Sequence, residues 1–342
     1  MKLKILGFAL LAVCVCAVCC MCGSDSKTPD YEFPDGPDPD PDPQPGDYPA
    51  GLTVTEFADD LGGGKQCLGF VAVADLKANP KLRFNAVHLP QQKIPSRIHA
   101  EFASANRGTA CVTTNAGYWW AGNSLSLLVT GGAVKSIENQ TVTRNNQTVY
   151  PVRSSFGQMS SGKFETHWIY CVLDDGNKPY AFPSALDNDE RTNTYMSAPP
   201  TSKTPGAVLW TPQEAVGGGP MLVKEGKNVA VENYWKEVFD GGGIAGTSRQ
   251  PRTAVGATAD GKLILLVCDG RNMRGSAGFT LAELADKLIE LGAVDAVNLD
   301  GGGSSTMVGS DGKVLNRPSD TGSAEVIVER KISTAVVISE VN

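Results

Sequence analysis

The 342-residue sequence has little histidine: there are only three, and aromatic residues make up 7% of the chain. His88, His99 and His167 each fall within a strand or helix pattern, so we interpret them as structural. The four cysteines after residue 22 form no C-x-x-C pair, and no histidine spacing typical of zinc sites is present. The sequence therefore predicts no zinc centre.

Glycine motifs that bind nucleotides or hold a nucleophile are also missing in complete form. Glycines 62–64 precede a lysine, but no Ser or Thr follows as a P-loop requires. Residues 241–246 match G-x-G-x-x-G, yet no strand precedes them and no helix start follows. There is no G-x-S-x-G elbow. We therefore expect no organic cofactor, and leave open a divalent cation at Asp300 or Asp269.

The chain has no excess of basic residues. It contains 30 Lys and Arg against 37 Asp and Glu, a formal net charge of −7. Residues 24–50 contribute seven net negative charges and the two lysines before them two positive ones, so residues 51–342 carry only −2. A nucleic-acid-binding surface needs a basic face. The composition therefore excludes a nucleic-acid partner.

One long apolar run, residues 5–21, follows Lys2 and Lys4 and ends at a polar segment. It is short for a membrane span and typical of a signal peptide, predicted as residues 1–22. A small residue before a cysteine at its end resembles a bacterial lipobox, with Cys20 or Cys22 as the lipidated residue. We predict an exported protein, lipid-anchored at the bacterial cell envelope or outer membrane; a soluble secreted protein is the alternative. The proline- and acid-rich residues 23–50 predict a disordered, extended tether.

Four cysteines lie outside the signal segment: Cys67, Cys111, Cys171 and Cys268. An exported protein could oxidise them, so disulfide pairing stays open. Cys111 and Cys268 lie in apolar strand patterns, where a free cysteine behaves as a small hydrophobic residue.

What is present is a strand–helix–strand pattern over residues 262–299. A capping box at 280–283, apolar residues at helical spacing and Gly292 predict a helix over 280–291. Apolar runs at 262–268 and 293–299 predict strands, and the crossover predicts that they are neighbouring and parallel. With antiparallel hairpins at 127–137 and 154–172, the predicted fold class is α/β (α+β), a mixed twisted sheet with flanking helices.

Carboxylates follow both of these strands. The first strand ends at Asp269 and the second at Asp300, which precedes three glycines and three hydroxyl residues. Parallel strands would bring both carboxylates to the carboxyl edge of the sheet, where open α/β sheets bind ligands. A plain tight turn with a capping carboxylate is the alternative.

Five motifs in order resemble the phosphodiester glycosidase family: NAGY at 115–118, GGGPML at 217–222, RTAVG at 252–256, DGR at 269–271 and NLDGGGSSTM at 298–307. The resemblance implies a domain over 110–342, with 51–109 as the N-terminal part of the same α/β body. It also implies an enzyme similar to N-acetylglucosamine-1-phosphodiester alpha-N-acetylglucosaminidases, which cleaves a sugar from a sugar-1-phosphodiester.

The resemblance also implies the site residues. An oxocarbenium-like transition state needs a carboxylate, and a phosphate needs guanidinium and backbone N–H donors, here the amides of 301–304. The predicted catalytic residues are Asp300, Asp269, Arg271, Arg252, Asn298 and Asn115. The predicted substrate-binding residues are Gly219, Gly301, Gly302, Gly303, Ser304, Ser305, Thr306, Glu329 and Arg330. For Glu329 and Arg330, a salt-bridged pair that begins the last strand is an equal alternative.

The expected function is a cell-surface hydrolase acting on phosphate-linked glycans or sugar-1-phosphodiesters, as a monomer that contacts the membrane only through its lipid anchor. The alternatives are a non-catalytic glycan-binding lipoprotein and a component of exopolysaccharide assembly. Charged groups in glycine-rich turns favour the enzyme, whereas the aromatic run at 118–120 favours glycan binding. The polar loop at 183–206 is predicted to form a rim over the site.

Overall fold

The computed structural model describes residues 47–102, 107–240, 243–320, 323 and 325–341. The predicted signal peptide and nearly all of the predicted tether, residues 1–46, lie outside the described residues. Within the described residues, no helix is both long enough and apolar enough to cross a membrane.

The strands, in chain order, are β1 (Leu52–Asp60), β2 (Gln66–Ala74), β3 (Leu82–Lys93), β4 (Thr109–Asn115), β5 (Trp119–Trp120), β6 (Asn123–Ser124), β7 (Leu128–Thr130), β8 (Ala133–Ser136), β9 (Val142–Arg144), β10 (Gln147–Val149), β11 (Arg153–Gln158), β12 (Phe164–Val172), β13 (Lys178–Phe182), β14 (Val208–Leu209), β15 (Glu214–Gly217), β16 (Met221–Lys224), β17 (Lys227–Asn228), β18 (Arg252–Thr258), β19 (Leu263–Cys268), β20 (Ala293–Asn298), β21 (Met307–Val308) and β22 (Ile332–Glu340). The helices are α1 (Pro95–Phe102), α2 (Ala230–Lys236) and α3 (Leu281–Glu290).

The first sheet has the strand order β1-β2-β19-β18-β20-β16-β17. Strands β19 and β20 both pair with β18, each in the antiparallel sense, so they run in the same direction with one strand between them. The α+β class is confirmed, but the predicted neighbouring parallel pair is wrong. The β19–α3–β20 crossover spans a position that β18 fills. Both strands still end at the same edge of the sheet.

Helix α3 covers one face of the first sheet with its apolar stripe. Leu281, Leu284 and Leu288 are buried there among residues of β16, β19 and β20. The predicted start of the helix is confirmed, because the Thr280 hydroxyl accepts a hydrogen bond from the Glu283 N–H and the Glu283 carboxylate accepts one from the Thr280 N–H. The predicted end is confirmed as well, since Gly292 has a left-handed φ of 87°.

We expect Thr280→Ala to lower the free energy of unfolding by about 1 kcal/mol, because it removes the side-chain acceptor of the cap. Chemical denaturation of the full chain measures this. Thr280→Ser is the matched control, since it keeps the hydroxyl. A loss as large in Thr280→Ser would show that the hydroxyl is not the stabilising group.

Two further sheets complete the fold. One has the order β14-β13-β12-β11-β15-β7-β8, and the other the order β21-β4-β22-β3; β5-β6 and β9-β10 form separate hairpins. A buried cluster joins all three sheets, and within it the Phe84 ring on β3 meets the Phe156 and Phe164 rings edge-on at 5.8 Å. The hairpins predicted at 127–137 and 154–172 are present as β7-β8 and β11-β12.

The chain before residue 110 takes part in these sheets. Strand β2 pairs with β19, and β3 pairs with β22 along most of its length. Strands from residues 66–93 therefore pair directly with strands of the region that carries the predicted motifs.

Candidate active site

A cavity of about 540 Å³ opens where β19 and β20 of the first sheet end. Its walls come from the turns after those two strands, the β5-β6 hairpin, the start of β11 and the segment that follows α2. The lining includes five arginines and one carboxylate, namely Arg144, Arg153, Arg252, Arg271, Arg330 and Asp300.

Asp300 lies in the turn directly after β20, and its backbone is held from two sides. The Asn115 Nδ2 donates to the Asp300 carbonyl oxygen at 2.6 Å, and the Asp300 N–H donates to the Ala116 carbonyl at 2.9 Å. Burial raises the pKa of the Asp300 carboxyl to about 6, although hydrogen bonds from Ser304 and Trp119 and the charge of Arg330 act in the opposite direction. At neutral pH this carboxylate is ionised in a partly desolvated cavity.

Arg271 provides an exposed guanidinium at the same edge. Its backbone is left-handed, with φ 56°, which is uncommon for a residue with a side chain. Its Nε donates to the Gln250 side-chain carbonyl at 3.1 Å. A Cβ on Gly302 would lie 3.0 Å from an Arg271 Nη atom, so the guanidinium lies directly over the glycine turn. Among the described residues, Arg271 has no carboxylate partner within 4 Å.

Arg330 reaches the opposite side of this turn, in an ion pair with Asp320. Glycine at position 303 leaves room for this pair, because a Cβ here would lie 2.6 Å from an Arg330 Nη atom and 2.8 Å from the Asp320 carboxylate and would displace both side chains. The glycine run therefore lets two guanidinium groups approach the backbone beside Asp300. That is a physical reason for glycine after this strand.

Asn298, Tyr118 and Gly219 form a polar wall of the cavity region. The Tyr118 hydroxyl donates to the Gly219 carbonyl at 2.7 Å, and the Asn298 Nδ2 lies 3.0 Å from the same carbonyl. A Cβ on Gly219 would lie 2.5 Å from a Glu237 carboxylate oxygen, and its φ is 114°. Asn298 lines the cavity as predicted, whereas Gly219 contributes its carbonyl oxygen from behind the wall.

The predicted position of Asp269 in the cleft is wrong. This carboxylate is fully buried and does not line the cavity. Its Oδ1 accepts from the Arg317 N–H at 2.7 Å and from the Asn316 Nδ2 at 3.1 Å. Asn316 also donates to the Ser305 carbonyl, so Asp269 holds the chain beneath the Asp300 turn. Asp269 does follow the end of a strand, as predicted, but its side chain faces the interior of the protein.

Arg252 lines the cavity, but most of its N–H groups are already used. They donate to the carbonyl oxygens of Phe279, Ile244, Ala245 and Ser248 at 2.9–3.0 Å. Burial lowers the pKa of this guanidinium. The predicted phosphate contact therefore has at most one free N–H, and the main role of Arg252 is to fix the segment around residues 244–248.

Several other predicted residues lie under the site rather than in it. The Asn115 Oδ1 accepts from the Thr253 hydroxyl at 2.8 Å and from the Thr306 N–H at 3.2 Å. Ser304, Ser305 and Thr306 are completely buried and do not line the cavity, so the structure contradicts the prediction that they bind substrate. The Ser304 hydroxyl donates to the Asp300 carboxylate, whereas Ser305 and Thr306 take part through their backbone, the Ser305 carbonyl accepting from Asn316 and the Thr306 N–H donating to Asn115.

Two backbone predictions also need correction. The Gly302 and Ser304 amides donate to the carbonyls of Pro251 and Gly301, so these two N–H groups are not available to an anion. Glu329 accepts from the Ser96 N–H and hydroxyl, and so holds the start of α1 rather than substrate. Gly301, Gly302, Gly303 and Arg330 do line the cavity.

Sequence reasoning missed Arg144 and Arg153 as site residues. Arg144 is the last residue of β9 and Arg153 is the first residue of β11, both far from the glycine motif in sequence. No local sequence pattern distinguishes them from surface arginines. Trp120, noted only as part of an aromatic run, lines the cavity mouth with 75% of its surface exposed. Trp119 next to it donates to Asp300.

Within the described chain, no three His, Cys, Asp or Glu side chains converge on a point suited to a metal ion.

Comparison with known proteins agrees with the geometry. The sequence profile described as "Phosphodiester glycosidase" matches residues 131–339. The chain is 40% identical over 90 residues to N-acetylglucosamine-1-phosphodiester alpha-N-acetylglucosaminidase of Bos taurus, and 35% identical over 122 residues to the SPbeta prophage-derived uncharacterized protein YomE of Bacillus subtilis. These matches cover 26% and 35% of this chain, and only 16% of either relative.

Solved structures show the same fold. The zebrafish N-acetylglucosamine-1-phosphodiester alpha-N-acetylglucosaminidase catalytic domain, auto-inhibited by its pro-peptide, aligns with a TM-score of 0.56 at 19% identity, over 85% of this chain and 84% of that one. A hypothetical protein from Synechocystis aligns with a TM-score of 0.51 at 21% identity, over 84% and 62%. Since the profile match spans more than half of the sequence, the chain belongs to the phosphodiester glycosidase family.

Proposed function

We propose that this chain hydrolyses the bond between the anomeric carbon of a sugar and the phosphate of a sugar-1-phosphodiester. The observation that carries the proposal is the charge of the cavity. Asp300 is the one carboxylate among the described lining residues, and no described carboxylate pairs with Arg271 beside it. A cationic cavity suits a phosphodiester. The single carboxylate suits the positive charge that develops on the sugar.

The reaction follows from these groups. The bond between C1 and the phosphate oxygen breaks, the electron pair leaves with the phosphate, and a water molecule adds to C1 and releases a proton. Ordinary glycosidases use two carboxylates, one of them to protonate the leaving oxygen. A phosphate monoester leaves as an anion without protonation, so Arg271 can assist departure while Asp300 supports the oxocarbenium-like carbon.

Turnover by the purified full chain tests this function. The substrates are UDP-N-acetylglucosamine and α- and β-linked sugar-1-phospho-methyl esters, and the measured products are free sugar and the phosphate compound. We expect release of both products in equal amounts. Binding of the panel without turnover would favour the glycan-binding alternative, which the exposed indole of Trp120 at the cavity mouth supports.

We expect kcat to fall as the pH drops below about 6. The ionised form of Asp300 is the active one, and burial raises its pKa to about 6, so protonation removes the charge that supports the sugar. A pH profile of kcat from pH 4.5 to 8 measures this. Because the pKa of buried Asp269 is also raised to about 6, the residual activity of Asp300→Asn is profiled in parallel. If kcat of that variant also fell below about pH 6, the titration would belong to a group other than Asp300.

Export and lipid anchoring belong to the same proposal. The apolar run that ends in cysteines and the following proline and acid tether support a domain held outside the cell on a lipid anchor. A palmitate analogue should label the protein, and replacing Cys20 and Cys22 together should remove the label. An unlabelled wild-type chain would contradict the anchor.

A further inference from the structure

A second group of positive charges lies in the cavity, organised around one backbone carbonyl. Val238 is fully buried and has a φ of 59°, a left-handed conformation that β-branched residues rarely adopt. Its carbonyl oxygen accepts from the Arg144 Nη2 at 3.3 Å and from the Arg153 Nη2 at 3.2 Å. The two guanidinium groups therefore lie against the same oxygen atom and are fixed close together.

Arg153 forms no ion pair with any carboxylate among the described residues. Its Nε donates to the Glu237 backbone carbonyl at 3.3 Å, and its guanidinium carbon lies 4.3 Å from the centre of the Phe239 ring. Within the described residues, no carboxylate lies within 4 Å of this guanidinium. A half-buried cation without a counter-ion is costly unless a ligand supplies the charge.

The nearby carboxylates are already committed to other groups. Glu190 pairs with Arg144 at 2.6 Å and also accepts from the Asp240 N–H at 2.7 Å. The Glu237 side chain accepts from the Ser154 N–H, the Met221 N–H and the Trp168 indole at 2.7–3.0 Å. Neither of them neutralises Arg153 directly.

Arg153 and Arg271 come from different parts of the fold. Arg153 is the first residue of β11, in the sheet of order β14-β13-β12-β11-β15-β7-β8, whereas Arg271 lies in the turn after β19 of the first sheet. Both line the same cavity, and neither has a carboxylate partner in the part of the chain that the structure describes. A single phosphodiester carries one negative charge and, under the proposed function, binds beside Asp300 and Arg271.

We propose that Arg153, together with Arg144, binds a second oxyanion of the same substrate. The substrate class is then a sugar phosphodiester that carries a further phosphate on its leaving group or a carboxylate on its sugar. This inference rests on the proposed function and adds to it the charge of the substrate. Arg153 and Arg144 act here in binding, while Asp300 remains the group at the reacting carbon.

Three substrates separate the possibilities. N-acetylglucosamine-1-phospho-methyl ester has one anionic group, UDP-N-acetylglucosamine has a second phosphate on the leaving group, and the methyl phosphodiester of glucuronic acid 1-phosphate has a carboxylate on the sugar. The variants are Arg153→Gln and the charge-retaining Arg153→Lys. Arg83→Gln is the matched control, because Arg83 is an exposed arginine outside this cavity that donates to the Pro80 and Leu82 carbonyls.

For Arg153→Gln we expect the ratio of kcat/KM between a doubly charged substrate and the singly charged one to fall by about tenfold or more, mainly through KM. Arg153→Lys should recover part of the ratio, and Arg83→Gln should not change it. Whichever doubly charged substrate shows the effect identifies the source of the oxyanion. Equal losses on all three substrates, or changes below about threefold, would overturn the inference. Melting temperatures of the variants check that each is folded.

Failure of the proposed function is recognised separately, as no turnover of any substrate by the wild-type chain. In that case, titration calorimetry with pyrophosphate and with methyl phosphate still tests the subsite. The inference predicts that Arg153→Gln weakens pyrophosphate binding by about tenfold or more, and weakens methyl phosphate binding less. Equal affinities of the wild type and Arg153→Gln for pyrophosphate would overturn it.

Discussion

Asp300→Asn is expected to lower kcat for a sugar-1-phosphodiester by about a hundredfold or more, because it removes a preorganised charge at the reacting carbon. Asparagine keeps the size of the side chain. The backbone of the turn is also held by the Asn115 Nδ2 and the Ala116 carbonyl, and asparagine keeps a side-chain oxygen that can accept from Ser304 and Trp119, so the turn should keep its shape. Steady-state turnover of the full chain, with substrate varied across KM, measures the loss.

The matched control is Asp295→Asn. Asp295 lies on the same strand, β20, but pairs with Lys224 at 3.2 Å and does not line the cavity. We expect its kcat to equal that of the wild type. If Asp300→Asn kept the kcat of the wild type, the glycine turn would not contain the reacting carboxylate, and the proposed mechanism would have to be abandoned.

The sequence predicted elements that are defined by local patterns. The α3 capping box, the apolar runs of β19 and β20 and the β11-β12 hairpin all appear where periodicity placed them. The sequence did not predict which strands are neighbours in the sheet. Residues 252–256 stood out as a motif, and nothing local showed that this segment would form β18 and pair with both β19 and β20.

The direction of polar side chains also could not be predicted. Asp269 and Asp300 both follow strands at one edge of the sheet, yet only Asp300 lines the cavity. The difference arises from Asn316 and the Arg317 N–H, 47 and 48 residues further along the chain, which hold Asp269 inward. The local spacing of residues around Asp269 cannot indicate a hydrogen-bond partner so distant in sequence.

Arg153 illustrates the opposite failure. Its neighbours in sequence form an ordinary strand start, and its importance comes from the left-handed backbone of Val238 and the Phe239 ring. These lie some 85 residues later and meet Arg153 only in the folded chain. The left-handed backbone of a buried β-branched residue is visible only in the structure, so the sequence could not show that Val238 brings Arg144 and Arg153 together.

Arg252 gives the second large expected effect, and it concerns stability. We expect Arg252→Met to lower the free energy of unfolding by about 3 kcal/mol or more, because buried carbonyl oxygens lose charged donors that methionine cannot replace. Urea denaturation of the full chain measures this. Arg252→Lys should recover only part of the loss, since one ammonium cannot reproduce the planar guanidinium fork.

Kinetics of the same variants separate a supporting role from a direct contact. If Arg252 mainly holds residues 244–248, Arg252→Lys should be destabilised, and its KM should rise for singly and doubly charged substrates alike as that wall of the cavity loosens. If Arg252 instead binds phosphate through its remaining N–H, KM should rise while the free energy of unfolding stays near that of the wild type. The four carbonyl contacts favour the first outcome, because a guanidinium committed to backbone oxygens has little left for a ligand. Arg252 therefore supports the cavity wall that includes Ile244 and Ala245.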